Sequence, residues 1–361
     1  MSCVAIYHYG SYNPPLYNVN NDLIIDCGDR LNEFLANPAE YKLAMVEINY
    51  FELPLTVSEL TQLRNCNRVI VKSMELEPRI VDILHQFDLP NFTFIINGTL
   101  NQTLQYAQVD QEMFWMNSTS YPYQHEWIDR THNKIKAFNT KPYMFDVMYG
   151  FEKPHRTFVK QQLASADPGC FYETPFFGYF DSNKKSLQSQ NLNLDRHELW
   201  EDEIEVDPQF NYNCRYLDRE MCVSQVMPFK VYNETAYTIV LETWADNQYS
   251  FFTEKIVKPM LAYRLFIVIS GQHYLRNLKQ IGFRTFDKII DESYDSELDD
   301  HIRWTKAIDQ AKLLCSKPQQ EVLSQIAPIV LHNYNLLFNL NFSKVNQHAE
   351  AFLIQHQCYR T

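Results

Sequence analysis

The sequence predicts an α/β protein. Two halves, each a parallel sheet with helices on its faces, meet across a cleft near residue 140, and a helical tail follows. Three observations lead there. The first 100 residues alternate short apolar runs with segments of helical spacing. The same alternation restarts after residue 140. Residues 237–281 then carry strand, helix, strand and helix in immediate succession.

Residues 4–9, 23–26, 43–49, 68–74 and 92–97 are short, β-branched or aromatic, and bounded by Asn, Gly, Pro or Asp, which predicts strands. Between them, 58–64 and 79–87 place apolar residues three and four apart, the helical period. Residues 98–138 follow neither period. PYMFDVMY at 142–149 is an apolar strand ended by Gly150, and PHRTFVKQQLA at 154–164 is a helix with Pro in its first turn, where a missing N–H costs little. Residues 181–215 are polar and acidic; the stretch 195–207 holds seven acids and one arginine and predicts a solvated loop or insertion. YTIVLE (237–242) is a strand, TEKIVKPMLAY (253–263) a helix, LFIVIS (265–270) a buried strand closed by Gly271, and QHYLRNLKQI (272–281) a helix. Such βαβ crossovers are right-handed in nearly all proteins. Helical spacing resumes from 297 to 340.

A chain of 361 residues fits two domains. With 45% hydrophobic and 21% charged residues it is a globular composition, not a disordered one. Glycine is scarce, 8 in all, and no two are separated by a single residue, so there is no GxGxxG dinucleotide fingerprint; GxxxxGK[ST] is also missing. The net charge of -12 argues against an extended nucleic-acid surface, which needs clustered Lys and Arg, but leaves room for a small basic cleft. The 8 cysteines form no CxxC pair, which disfavours a zinc ribbon and suggests reduced thiols. MSCVAIYHYG has no basic-then-apolar leader pattern, and no run of about 18 apolar residues occurs. The expectation is a cytoplasmic protein with no membrane span, whose six Asn-x-Ser/Thr sequons are chance in an Asn-rich chain.

The stretch that carries chemistry is ETWADNQYSFFTEK at 242–255. It begins at the carboxyl end of a strand and finishes in the first turn of a helix. Thr253 is a candidate cap, and the N–H groups it precedes favour an anion. Lys255 in the first turn opposes the helix dipole, a conflict that a phosphate would remove. Glu254 can accept two hydrogen bonds from a diol such as ribose, and Phe251 and Phe252 offer flat faces to a base. From the residues alone, an exposed Glu–Lys pair on a surface helix with two core phenylalanines fits as well.

Residues 237–271 resemble the donor-binding signature of the α1,3-fucosyltransferases: a strand ending in Glu, an aromatic-x-Thr-Glu-Lys element, a helix, and an apolar strand ending in Gly. The matching positions are Glu242, Phe251, Thr253, Glu254, Lys255 and Gly271; Thr243 stands where the family has Asn, and Phe251 where it often has Tyr. The resemblance implies a donor site in which Phe251 lies against the base, Glu254 holds the ribose hydroxyls and Lys255 a phosphate. KPYMFDVMYGFEKPHRTFVKQQL at 141–163 resembles the opening of the same families' C-terminal domain, which implies Arg156 on the donor pyrophosphate with Lys160 one turn on. FFTEKIVKP and YLRNLKQIGFRTFDKIIDESYD are similar also to glycosyltransferase-like proteins of phages and large DNA viruses.

The implied fold is GT-B-like: two Rossmann-like domains facing across a cleft with C-terminal helices, residues 1–138 forming the acceptor-side domain and 139–361 the nucleotide-sugar-binding domain. The implied activity is inverting transfer of a sugar from a nucleotide-diphosphate sugar to a glycan or other hydroxyl acceptor. No Asp-x-Asp motif occurs near a strand end, in keeping with an enzyme that needs no metal or other cofactor. Inversion calls for a general base. The candidates are Glu126, beside His125, and Glu47. Two other readings share the donor residues: a non-catalytic member of the fold with a binding or structural role, and a phage-type enzyme that glycosylates DNA bases, which the negative charge disfavours.

Overall fold

In this computed structural model the chain divides into two compact units, Met1–Gln111 with Asn341–Thr361, and Glu112–Leu340. The structure describes strand backbones at 3–9, 24–26, 41–48, 69–73, 92–97, 99–100 and 106–109. From 134 to 339 it describes all but 175, 177, 182–185, 190–203, 207–212, 217–218, 223–225 and 246–248.

The strands of the first unit are β1 (Cys3–Tyr9), β2 (Ile24–Asp26), β3 (Tyr41–Ile48), β4 (Val69–Ser73), β5 (Phe92–Asn97), β6 (Thr99–Leu100) and β7 (Tyr106–Val109). Six of them form one sheet in the order β2-β1-β3-β4-β5-β7, parallel throughout. The five predicted strands are all present. The stretch without a clear period contributes β7, a four-residue strand too short to show alternation. The helical segments expected at 58–64 and 79–87 lie outside the described residues.

The second unit is built on β8 (Tyr143–Val147), β10 (Phe171–Glu173), β16 (Thr235–Leu241) and β18 (Phe266–Ile269), parallel and ordered β10-β8-β16-β18, with the two-residue β17 (Tyr249–Ser250) between the last two in the chain. All seven residues of β16 and all four of β18 are buried, the demand of a sheet covered on both faces, and both are β-branched and aromatic in composition. Its helices are α1 (Pro154–Leu163), α2 (Phe229–Glu234), α3 (Glu254–Leu261), α4 (Tyr274–Gln280), α5 (Asp300–Cys315) and α6 (Gln319–Asn339). All but α2 fall where helical spacing predicts; α2, a helix of six residues, is too short to show a period. Among the described residues no helix is long and apolar enough to cross a membrane.

The acidic region is a correction. The stretch 195–207, expected as a solvated loop or insertion, carries a strand at 204–206, and the region around it holds others: β9 (Phe151–Glu152), β11 (Gly178–Asp181) and β12 (Ser186–Ser189) form one small sheet, and β13 (Ile204–Val206), β14 (Asn213–Tyr216) and β15 (Arg219–Cys222) another. Ile204 and Val206 pair with Tyr216 and Cys214. Alternation around Glu205 sets that strand, and the six other acids of 195–207 conceal it in a reading by charge.

The sheet order has one physical consequence. β8 leads away to β10 on one side and β16 to β18 on the other, so the carboxyl ends of β8 and β16 face a topological switch point, where open parallel sheets bind ligands. Further back between the same strands, level with Thr235–Thr238 of β16, sits a buried ion pair. Arg264 Nη2 lies 2.7 Å from Asp146 Oδ1. The guanidinium also donates to Thr238 and Thr235 Oγ1 and to the carbonyls of Tyr232, Thr235 and Tyr237, and packs 4.3 Å from the Tyr232 ring centroid. Removing one partner of a buried pair strands the other. Asp146→Ala is therefore expected to lower unfolding stability by about 3–5 kcal/mol in denaturant titration.

Candidate functional site

Glu242 follows β16 at the switch point with no solvent exposure. Its carboxylate accepts from Tyr274 Oη at 2.6 Å, Thr253 Oγ1 at 2.7 Å and the Thr243 N–H at 3.3 Å. Burial pushes its pKa up, against the pull of Lys255 and the two hydroxyls. Tyr274 is the first residue of α4, and Thr253 caps α3 by accepting from the Lys255 N–H at 3.2 Å. One carboxylate thus fixes the starts of two helices.

The Glu242 carbonyl fixes a third. His155 Nε2 donates to it at 2.9 Å and Arg156 Nη2 at 3.3 Å. Arg156 reaches the Leu241 carbonyl as well, at 3.4 Å, while its Nη1 donates to the Phe151 carbonyl at 2.8 Å. Lys153, the residue before α1, donates from Nζ to the Thr243 carbonyl at 2.9 Å and stands 4.5 Å from the Trp244 ring centroid. Three consecutive carbonyls thus receive the bases that open α1. His155 is buried, and burial, with Arg156, Lys153 and Lys255 nearby, holds its pKa well below the usual imidazole range. It is neutral, with its proton on Nε2 to serve the carbonyl. Gly150 (φ +63°) is required twice here: its backbone is left-handed, and a Cβ would come 3.2 Å from Arg156 Nη1.

Lys255 Nζ makes an ion pair with Glu254 Oε1 at 2.8 Å and donates to Thr243 Oγ1 at 3.2 Å and Thr253 Oγ1 at 3.5 Å. The two side chains retain 30% and 15% of their exposure. Burial alone would lower the lysine pKa, but Glu254 and Glu242 hold it above the usual value. Burial would raise that of Glu254, but Lys255 and Lys258 draw it below. Both are charged. The structure thus brings Glu242, Thr243, Thr253, Glu254, Lys255 and Arg156 to one place.

The other expected site residues lie differently. Phe251 and Phe252 are buried at 4% and 2% exposure, and Phe252 packs edge-on against Tyr274. Lys160 is exposed and stands 4.8 Å from the Phe176 ring centroid and 5.7 Å from that of Tyr149. Glu126 and His125 lie outside the described residues. Glu47 belongs to β3 of the other unit, in register with His8.

Several residues escaped sequence reasoning. Lys153 and His155 stand in the same string as Arg156. Tyr274 reaches Glu242 across 32 positions. Arg303 and Trp304 of α5 donate to the Ala245 carbonyl at 2.9 and 3.1 Å, and Arg303 Nε to the Ser270 carbonyl at 2.9 Å, which fixes the loop after β16. None of these contacts has a local signal. Among the described residues no three His, Cys, Asp or Glu side chains gather to hold a metal ion.

No protein-family model matches the chain, and no curated protein does. Among solved structures, a crystal structure of an α1,3-fucosyltransferase is similar with a TM-score of 0.44 and 11% identity, over 100% of this chain and 90% of that one.

Burial of Glu242 makes a pH prediction. The folded chain keeps the Glu242 proton to higher pH than the unfolded chain, whose carboxyl titrates near its ordinary 4.5. Stability therefore falls as pH rises from that value to the raised one, since the folded state binds more protons in that window. Glu242→Gln removes this contribution. Unfolding free energies measured against pH are expected to show the variant gaining on the parent across the window.

Proposed function

We propose that this chain is a GT-B-type inverting glycosyltransferase that moves a sugar from a nucleotide-diphosphate sugar to a glycan or other hydroxyl acceptor. The observation that supports this most is the convergence of Lys153, Arg156 and Lys255 at the switch point. Three cations confined together repel one another, and the acids beside them are Glu254, already paired to Lys255, and the buried Glu242. A doubly charged diphosphate answers that imbalance. The start of α3 adds the positive end of a helix dipole at the same place. Glu254, ionised and partly exposed, suits the two ribose hydroxyls.

The reaction then needs little covalent participation from the protein. The acceptor oxygen attacks the anomeric carbon on the face opposite the diphosphate. As that bond forms, the carbon–oxygen bond to the diphosphate breaks, and its electron pair stays on the phosphate oxygen. Cationic side chains stabilise the charge developing there, in place of a metal ion. The acceptor proton passes to a carboxylate base, for which Glu126 is the proposed residue.

The test is thermal unfolding of the intact chain with GDP, UDP, CMP, dTDP and their sugar conjugates. A ligand at a hundred times its Kd adds ~2.7 kcal/mol. One nucleotide class is expected to raise the melting temperature, and Lys255→Ala to abolish the rise. No rise with any nucleotide overturns the proposal.

A further inference from the structure

We propose that Lys153 and Lys255 together hold the diphosphate of the donor, and that Arg156 is a positioning residue behind them. This rests on the nucleotide-sugar reading and changes which side chains carry it out. The family resemblance gives the pyrophosphate to Arg156. The geometry turns that guanidinium the other way: it is 3% exposed, and its terminal nitrogens donate to the carbonyls of Phe151, Leu241 and Glu242. Gly150 packs directly against Nη1, where even a Cβ would be tight. To reach a phosphate, Arg156 would have to give up its hydrogen bonds to the Phe151 and Leu241 carbonyls and leave the Glu242 carbonyl to His155 alone.

Lys153 is placed otherwise. Its residue is partly exposed, and its ammonium lies at the Thr243 carbonyl, while Lys255 Nζ lies at the hydroxyl of the same threonine. The two ammonium groups therefore bracket residue 243, the second residue beyond β16. This is also the position where Thr replaces the family's Asn. The platform under Lys153 is fixed: Ser270 Oγ donates to the Trp244 carbonyl at 3.1 Å, and Arg303 and Trp304 hold the carbonyl of Ala245. A lysine on a fixed platform presents a compact point charge, which suits one phosphate oxygen as well as an Arg fork suits two. Ordering costs are met before the ligand arrives.

The experiment compares the intact chain with Lys153→Ala, Lys153→Arg, Arg156→Gln and Lys255→Ala by calorimetric titration. The probes are the nucleoside diphosphate that gives the largest thermal shift and its monophosphate. Loss of one charge-assisted hydrogen bond corresponds to about 10- to 100-fold in affinity. Lys153→Ala is expected to weaken the diphosphate by that factor and the monophosphate far less, with the melting temperature of the unliganded protein lowered less than in Arg156→Gln. Lys153→Arg is expected to recover part of the loss. Arg156→Gln is expected to lower the unliganded melting temperature and to keep the ratio of the two affinities. Unchanged diphosphate binding in Lys153→Ala, with loss in Lys255→Ala, overturns this inference and leaves the glycosyltransferase reading standing. Equal loss of both probes with a lower melting temperature also overturns it, since Lys153 is then structural. Failure of the parent protein to bind any nucleotide overturns both.

Discussion

The arrangement at the switch point depends on one buried carboxylate. An ionisable group with no exposure is costly unless its hydrogen-bonding capacity is filled, and Glu242 is filled from both ends. Its carboxylate takes the cap of α3 and the first residue of α4; its carbonyl takes His155 and Arg156 at the start of α1. Three helices are thus indexed to β16 through a single residue. The position of Lys255 follows. Thr253 is held by Glu242, the Lys255 N–H is held by Thr253, and the ammonium can then reach only the few acceptors beside it, Thr243 and Glu254 among them.

The same two central strands are pinned further back by Arg264 and Asp146. Asp146 lies in β8, Thr235 and Thr238 in β16, and Arg264 just before β18, so one guanidinium ties three of the four strands. A parallel sheet buried on both faces has few side-chain cues to its register beyond shape. Polar networks within the β8–β16 pair and at its carboxyl end supply directional ones. The carboxyl-end network does double duty, because the carbonyls that fix α1 belong to the residues 241–243 that shape the site.

What the sequence made legible was local. The strands from 235 to 269 show as apolar runs, and Thr253 shows as a cap because capping is a relation between neighbours. Glu254 and Lys255 follow in the next two positions. What stayed hidden was made over long separations: Tyr274 to Glu242 spans 32 residues, Arg303 to Ala245 spans 58, and Arg156 to Glu242 spans 86. No periodicity records such pairings. Phe251 illustrates a different limit. Its identity offers a face to a base, but its 4% exposure is a property of packing around the turn into α3. The acidic stretch near 200 failed for the opposite reason, since abundant charge outweighed a three-residue alternation.

The cations at the site break two local rules, and the breaks have a common cause. Lys255 sits in the first turn of a helix, where the dipole disfavours it. Lys153 and Arg156 sit at the start of α1, where the same dipole disfavours them. In a chain carrying more acids than bases, three bases at two helix starts would ordinarily be replaced by acids at little cost to the fold. Each is instead tied to oxygens: Arg156 to carbonyls, Lys153 to a carbonyl and an aromatic face, Lys255 to Glu254 and two hydroxyls. Glu254 balances the charge of Lys255, whereas the oxygens that hold Lys153 and Arg156 carry no net charge. His155 stays neutral among them, by its burial first and by the neighbouring cations second. Departures from local consistency concentrate where function requires them, and here they gather at the carboxyl ends of β8 and β16, the end at which open parallel sheets generally bind their ligands.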